Sequence, residues 1–161
     1  MPAIDDVTTL AQLLPGRWTI KATNFPMWLS GERREPSFQY GLQRESQLTL
    51  SDEVAYVDAD GKLKSIRGTD HWNGAGFTWR MRGIAGLFVR SRWEVAGIRH
   101  GLLVIRFEKS VATPSGVDVV VGDGVDATEL RTVIAADPES FGLTIEEFAS
   151  LTWLDHTPPI G

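Results

Sequence analysis

Residues 15–19 read PGRWT, and the fold turns on what this tryptophan does. Before it lies a short helical pattern, DVTTLAQLL at 6–14, with Val7, Leu10, Leu13 and Leu14 at helical spacing. Asp5 or Asp6 supplies an N-cap for that helix, and Pro15-Gly16 supplies its stop. After it the period changes to two: RWTIKATNF sets Trp18, Ile20 and Ala22 against Arg17, Thr19 and Lys21. Trp18 therefore opens the first strand, on its apolar face.

The same alternation recurs along the chain. In SFQYGLQRESQLTL, Phe38, Tyr40, Leu42, Leu48 and Leu50 share one parity. EVAYVDADGKLKSIRGTDHW reads as a hairpin turning at Asp60-Gly61. FTWRM, LFVRSRWEVAGI, HGLLVIRFEKS and GVDVVVG follow, bringing the count to about eight strands joined by short turns. No helix separates consecutive strands, so parallel crossovers have nowhere to fit and the sheet is antiparallel and up-and-down. Such a sheet removes its edges by rolling into a closed barrel, and eight strands leave room for packed side chains or one small ligand.

Beyond residue 122 the period is helical again. Asp126 and Glu129 form a capping pair before Leu130, Val133 and Ile134, and Thr144 with Glu147 repeats the device before IEEFASLTWL. The expectation is a mainly β, eight-stranded antiparallel barrel with a short N-terminal helix and two short C-terminal helices. It is one domain over 1–161, with the barrel at about 16–121 and the helical tail at about 126–155.

Bulk properties narrow the function classes. A net charge of −5 argues against a phosphate backbone as partner. Without cysteine there are neither disulfides nor thiolate zinc sites, which fits a reducing compartment. The start lacks the basic region of a secretory signal, and no apolar run approaches the ~18 residues that span a bilayer. A cytoplasmic location is expected, with no membrane span and no nucleic-acid partner; a homodimer is left open. The six tryptophans belong in a core, a cavity or a binding face.

A short helix, then Gly16-Arg17-Trp18 heading the first strand, then an antiparallel series resembles the lipocalin or calycin superfamily, over about residues 7–121. The absence of a signal and of disulfides places the resemblance nearest its intracellular bacterial members. It implies that Trp18 packs across the closed end of the barrel beneath an arginine from a late strand, for which Arg106 is the candidate. Gly16 would turn the chain tightly into the floor, where a Cβ would crowd it.

With Trp18 pointing inward, strand parity selects the lining. Phe38, Trp79, Trp93 and Met81 supply apolar wall, and Tyr40, Arg44, Tyr56 and Asp70 are polar groups within it, with Asn24 and Ser91. Lys64 shares the parity of Ile66 and breaks the rule, which a β-bulge would explain. The leading expectation is a binding protein for a small hydrophobic or amphipathic molecule, with Arg44, Tyr40 and Tyr56 holding a carboxylate or carbonyl. The alternative is a cofactor-free enzyme of decarboxylase, isomerase or cyclase type, using the tyrosines, Arg44 and Asp70. No histidine pair has metal-ligand spacing, and the chain lacks both a nucleophile elbow and a phosphate loop, so neither metal nor cofactor is expected. Haem held through His156 or His100 is the weaker remaining alternative.

Overall fold

The computed structural model describes residues 6–82, 88–110 and 114–154. Strands β1 (Gly16–Thr23), β2 (Arg33–Arg44), β3 (Thr49–Asp58), β4 (Leu63–Trp72), β5 (Phe77–Arg82), β6 (Phe88–Arg99), β7 (Leu102–Phe107) and β8 (Gly116–Gly122) each run antiparallel to the next. β8 then pairs back onto β1, so the sheet closes as an up-and-down barrel. The seam lies at the quoted stretch: Trp18 sits opposite Phe38 on one side and Gly122 on the other.

Helix α1 (Val7–Leu13) covers the end of the barrel beneath this seam. Asp6 caps it by accepting the Thr8 backbone N–H at 3.1 Å. Leu10 and Leu14 are wholly buried, and the Leu14 carbonyl accepts the Trp18 indole N–H at 2.9 Å. Floor, helix and first strand are thus tied at one residue. Gly16 is required for its conformation, with φ at 134°, and not for crowding, because a Cβ there would meet no atom within 4 Å.

Two apolar clusters divide the molecule. One fills the barrel around Trp18, Ile20, Phe38, Leu50, Phe77, Trp93, Leu103 and Ile105. The other lies on the outer face of β7, β8 and β1, covered by the C-terminal segment. That segment runs through α3 (Leu130–Ala136), a 3-10 turn (Pro138–Phe141) and α4 (Ile145–Ser150) to β9 (Thr152–Trp153), which pairs with Ala22 and Thr23. Ile134, Phe141 and Leu143 pack there against Val104, Val119 and Val121. Burial on both faces is why β7 and β8 read as continuous apolar runs rather than alternations. The Thr144–Glu147 capping box heads α4. Asp126, by contrast, accepts from Thr128 inside a turn and does not cap α3, whose first turn follows Glu129.

Three expectations are corrected by the register. A bulge between Ile20 and Ala22 turns Ala22 outward into the tail interface and puts Thr23 opposite Asp118. Asn24 therefore leaves the interior: it accepts the Val117 N–H at 2.8 Å and donates to Ser150. No bulge occurs around Lys64, which pairs with Tyr56 in unbroken register. Lys64 is exposed because the strand end runs past the core, and it reaches Asp58 at 4.0 Å.

Arg106 does not stack under Trp18. Its parity on β7 is outward, where its guanidinium donates to Glu147 at 2.8 and 2.9 Å, to Glu94 at 2.8 Å and to the Gly142 carbonyl at 2.9 Å. It is a clasp between barrel and tail, a third exposed, so each ionic bond is discounted for solvent. Arg106→Ala is expected to lower stability by about 1–2 kcal/mol. Hydrogen exchange should quicken in residues 138–150 while the barrel strands keep their protection. Unchanged exchange in that segment would remove the clasp.

Candidate functional site: a cavity inside the barrel

The inner wall is dominated by rings. Phe38, Tyr40, Trp93 and Phe77 form a stacked series, with centroid separations of 6.1, 5.6 and 4.5 Å and interplanar angles of 20–28°. Beside them is a cavity of about 140 Å³, lined by Phe25, Met27, Trp28, Val54, Ile66, Trp79, Phe107 and others together with Phe38, Tyr40 and Trp93. For scale, a dry engineered cavity of about 150 Å³ accepts benzene. Helix α2 (Pro26–Leu29), in the β1–β2 connection, brings Met27 and Trp28 to this lining. Trp79 can lean inward because β4 has glycine beneath it: a Cβ on Gly68 would fall 2.4 Å from the Trp79 indole nitrogen.

Within this apolar wall stand carboxylates. Asp52 and Asp118 line the cavity and are 6% and 1% exposed, while Asp70 is fully buried and adjoins Asp52. Asp70 Oδ1 accepts the Trp93 indole N–H at 2.8 Å. Burial raises the pKa of both members of the Asp52–Asp70 pair, and of Asp70 further through the Asp52 charge. Such a pair holds one proton between its members over a wide pH range. Burial likewise pushes the Asp118 carboxyl up to about 7. Thr23 and Trp28 lie near enough to offset part of that rise, yet neither oxygen of Asp118 has a hydrogen-bond partner. The Tyr40 phenol is raised by burial first, then by the charges of Asp52, Asp70 and Asp118.

Among the residues selected from sequence, Phe38, Tyr40, Trp79 and Trp93 come together around the cavity. Tyr56 sits off the lining, against Trp28 at 6.3 Å and beneath the Arg33 guanidinium at 5.1 Å. Met81 is partly exposed and also off the lining. Arg44 is not in the cavity: it is exposed at the end of β2, where it donates to Gln47 at 3.3 Å. The strand has passed beyond the floor at that point, so inward parity no longer means burial. Of the polar groups, Tyr40 lines the cavity and feels the charge of Asp70, whereas Arg44 and Tyr56 lie off the lining.

His100 is exposed in the β6–β7 turn, His71 is exposed on β4, and His156 lies outside the described residues. Among the described residues no three His, Cys, Asp or Glu side chains gather to hold a metal ion. Sequence reasoning missed Asp52 and Asp118. The signal for Asp52 was present, since it shares the parity of Leu50, Val54 and Tyr56 on β3. Asp118 lay hidden within VDVVV, a strand apolar on both faces.

Fold and cavity together define a lipocalin-type barrel. The structure is similar to lobster apocrustacyanin A1 (TM-score 0.60, 11% identity, covering 96% of this chain and 87% of that one). It is similar also to the major allergen Per a 4 from cockroaches (TM-score 0.62, 10% identity, 96% and 90%). A third similar structure is the tryptamine complex of the amine binding protein of Rhodnius prolixus (TM-score 0.60, 9% identity, 95% and 82%). No protein-family model matches the sequence, and no curated protein matches it significantly. These likenesses concern the fold.

The folded Asp118 carboxyl keeps its proton to about pH 7, the unfolded one only to about 3.8, so the folded state binds more protons between them. Stability is therefore full below about pH 4 for this group and falls as pH rises through 7, by on the order of 4 kcal/mol. Asp118→Asn should match the parent protein below about pH 4 and melt on the order of 10 °C higher at pH 8. Equal melting temperatures at pH 8 would show that the carboxylate is not desolvated. Arg44→Ala, in turn, should change neither melting temperature nor the affinity of any cavity ligand, as isothermal titration would show.

Proposed function

We propose that this protein binds a small, compact, largely apolar molecule inside its barrel. The observation that supports the reading best is the cavity itself, a one-ring-sized space walled by seven aromatic side chains where a filled core would otherwise be. The fold supports it as well, since the Rhodnius prolixus amine binding protein has been seen in a tryptamine complex. A carboxylate-bearing ligand does not fit this wall. Arg44 is outside, and the buried polar groups of the wall are acidic.

Toluene, which tests the apolar space alone, should raise the melting temperature in a saturable manner. At a hundredfold excess over Kd the stabilisation is about 2.7 kcal/mol. Ser91→Trp puts a large side chain on the lining and should weaken toluene binding about tenfold or more with the far-ultraviolet circular dichroism unchanged. Equal affinity in the filled variant would place the ligand elsewhere.

A further inference from the structure

The cavity wall carries polar groups that close packing does not require. Both oxygens of Asp118 and Oδ1 of Asp52 lack hydrogen-bond partners, and among the described residues no Lys, Arg or His forms an ion pair with either side chain. Leaving a buried carboxylate uncompensated is expensive, so an arrangement of this kind is suited to a partner that arrives from outside. Among the described residues, the unpartnered polar atoms of the lining are three acceptors against one donor, the Trp79 indole N–H. An occupant must therefore bring donors. A metal ion is a poor match, because no three ligating side chains gather at one point among the described residues.

A protonated amine fits each of these features. It brings N–H donors and no acceptor, and its charge offsets the aspartates. Trp79 and Trp28 line the same cavity outside the stacked series, and ring quadrupoles of this kind attract a desolvated cation. The volume, about 140 Å³, limits the rest of the molecule to roughly one ring and a short chain. We propose that the cavity takes a primary or secondary amine in its protonated form on an apolar body of that size, its N–H groups donating to Asp118 and Asp52. This deepens the ligand-binding reading above and rests on it.

Other charged and titratable groups facing the pocket are Tyr40 on β2, Asp70 on β4 behind Asp52, Arg33 on β2 and Arg90 on β6. Arg33 is held over the Tyr56 ring at 5.1 Å, and Arg90 is exposed, so neither neutralises the aspartates. Because Asp118 and Asp52 ionise at about 7 and about 6, the amine is held best above pH 7, and its entry expels protons from the wall.

The test compares benzylamine, benzyl alcohol, benzoate and toluene by isothermal titration on the full chain at pH 8 and pH 5. Expected is benzylamine binding about tenfold or more tighter than benzyl alcohol at pH 8, with the preference collapsing at pH 5 and in Asp118→Asn. The far-ultraviolet circular dichroism of that variant, unchanged from the parent protein, shows that the barrel is intact. Toluene and benzyl alcohol binding with no amine preference would overturn the inference and leave the ligand-binding reading standing. Benzoate binding more tightly than benzylamine would overturn it too. If none of the four binds, both readings fall together.

Discussion

Strand β1 hydrogen-bonds along both edges, to β2 through Gly16–Thr19 and to β8 through Trp18–Thr23. That shared pairing converts a meander into an enclosure. An open sheet of these strands would leave β2 and β8 with unpaired edges and would wet the inner face. Closure removes both edges, and the indole of Trp18 seals the join because its ring is buried and its N–H is consumed by the Leu14 carbonyl. The ring series along the wall and the desolvation of three aspartates depend on water being kept out by this seam.

Inside that enclosure, stability and function pull in opposite directions. Phe38, Tyr40, Trp93 and Phe77 hold each other in fixed orientations and stiffen the wall. Asp118 works against the empty fold whenever it is charged. A sequence selected only for stability would place valine or asparagine there, and the proposed amine is the partner that would offset the cost of this aspartate. The Asp52–Asp70 pair is gentler, because a shared proton and the Trp93 indole absorb part of the penalty.

Much of the fold was legible in the sequence for a simple reason. Strands with one wet and one dry face alternate, and β2, β5 and the centre of β6 do so clearly, which fixed direction, order and inward parity. The rings of the cavity wall follow from that parity alone. Errors arose where a local rule met a tertiary one. The bulge after Ile20 inverted the end of β1, and nothing in IKAT announces it. Arg44 and Lys64 have inward parity but lie beyond the ends of the core, since parity gives direction and not depth. Arg106 has no visible partner in the local sequence because the covering tail, with Glu147, is 41 residues distant along the chain. Asp118 sits in a run buried on both sides, where periodicity carries no information.

The two apolar clusters also make the barrel mechanically uneven. Around β7, β8 and β1 the wall is two layers thick, with the tail bolted over it by Arg106. Around β3 and β4 it is a single layer whose outer side faces solvent, and even the inward positions near the Asp58–Lys62 turn are only half covered. Thermal breathing concentrates where few apolar side chains are buried. The stiff side thus acts as a fixed jaw and the thin side as a compliant one, and Asp52 rides on the jaw that yields.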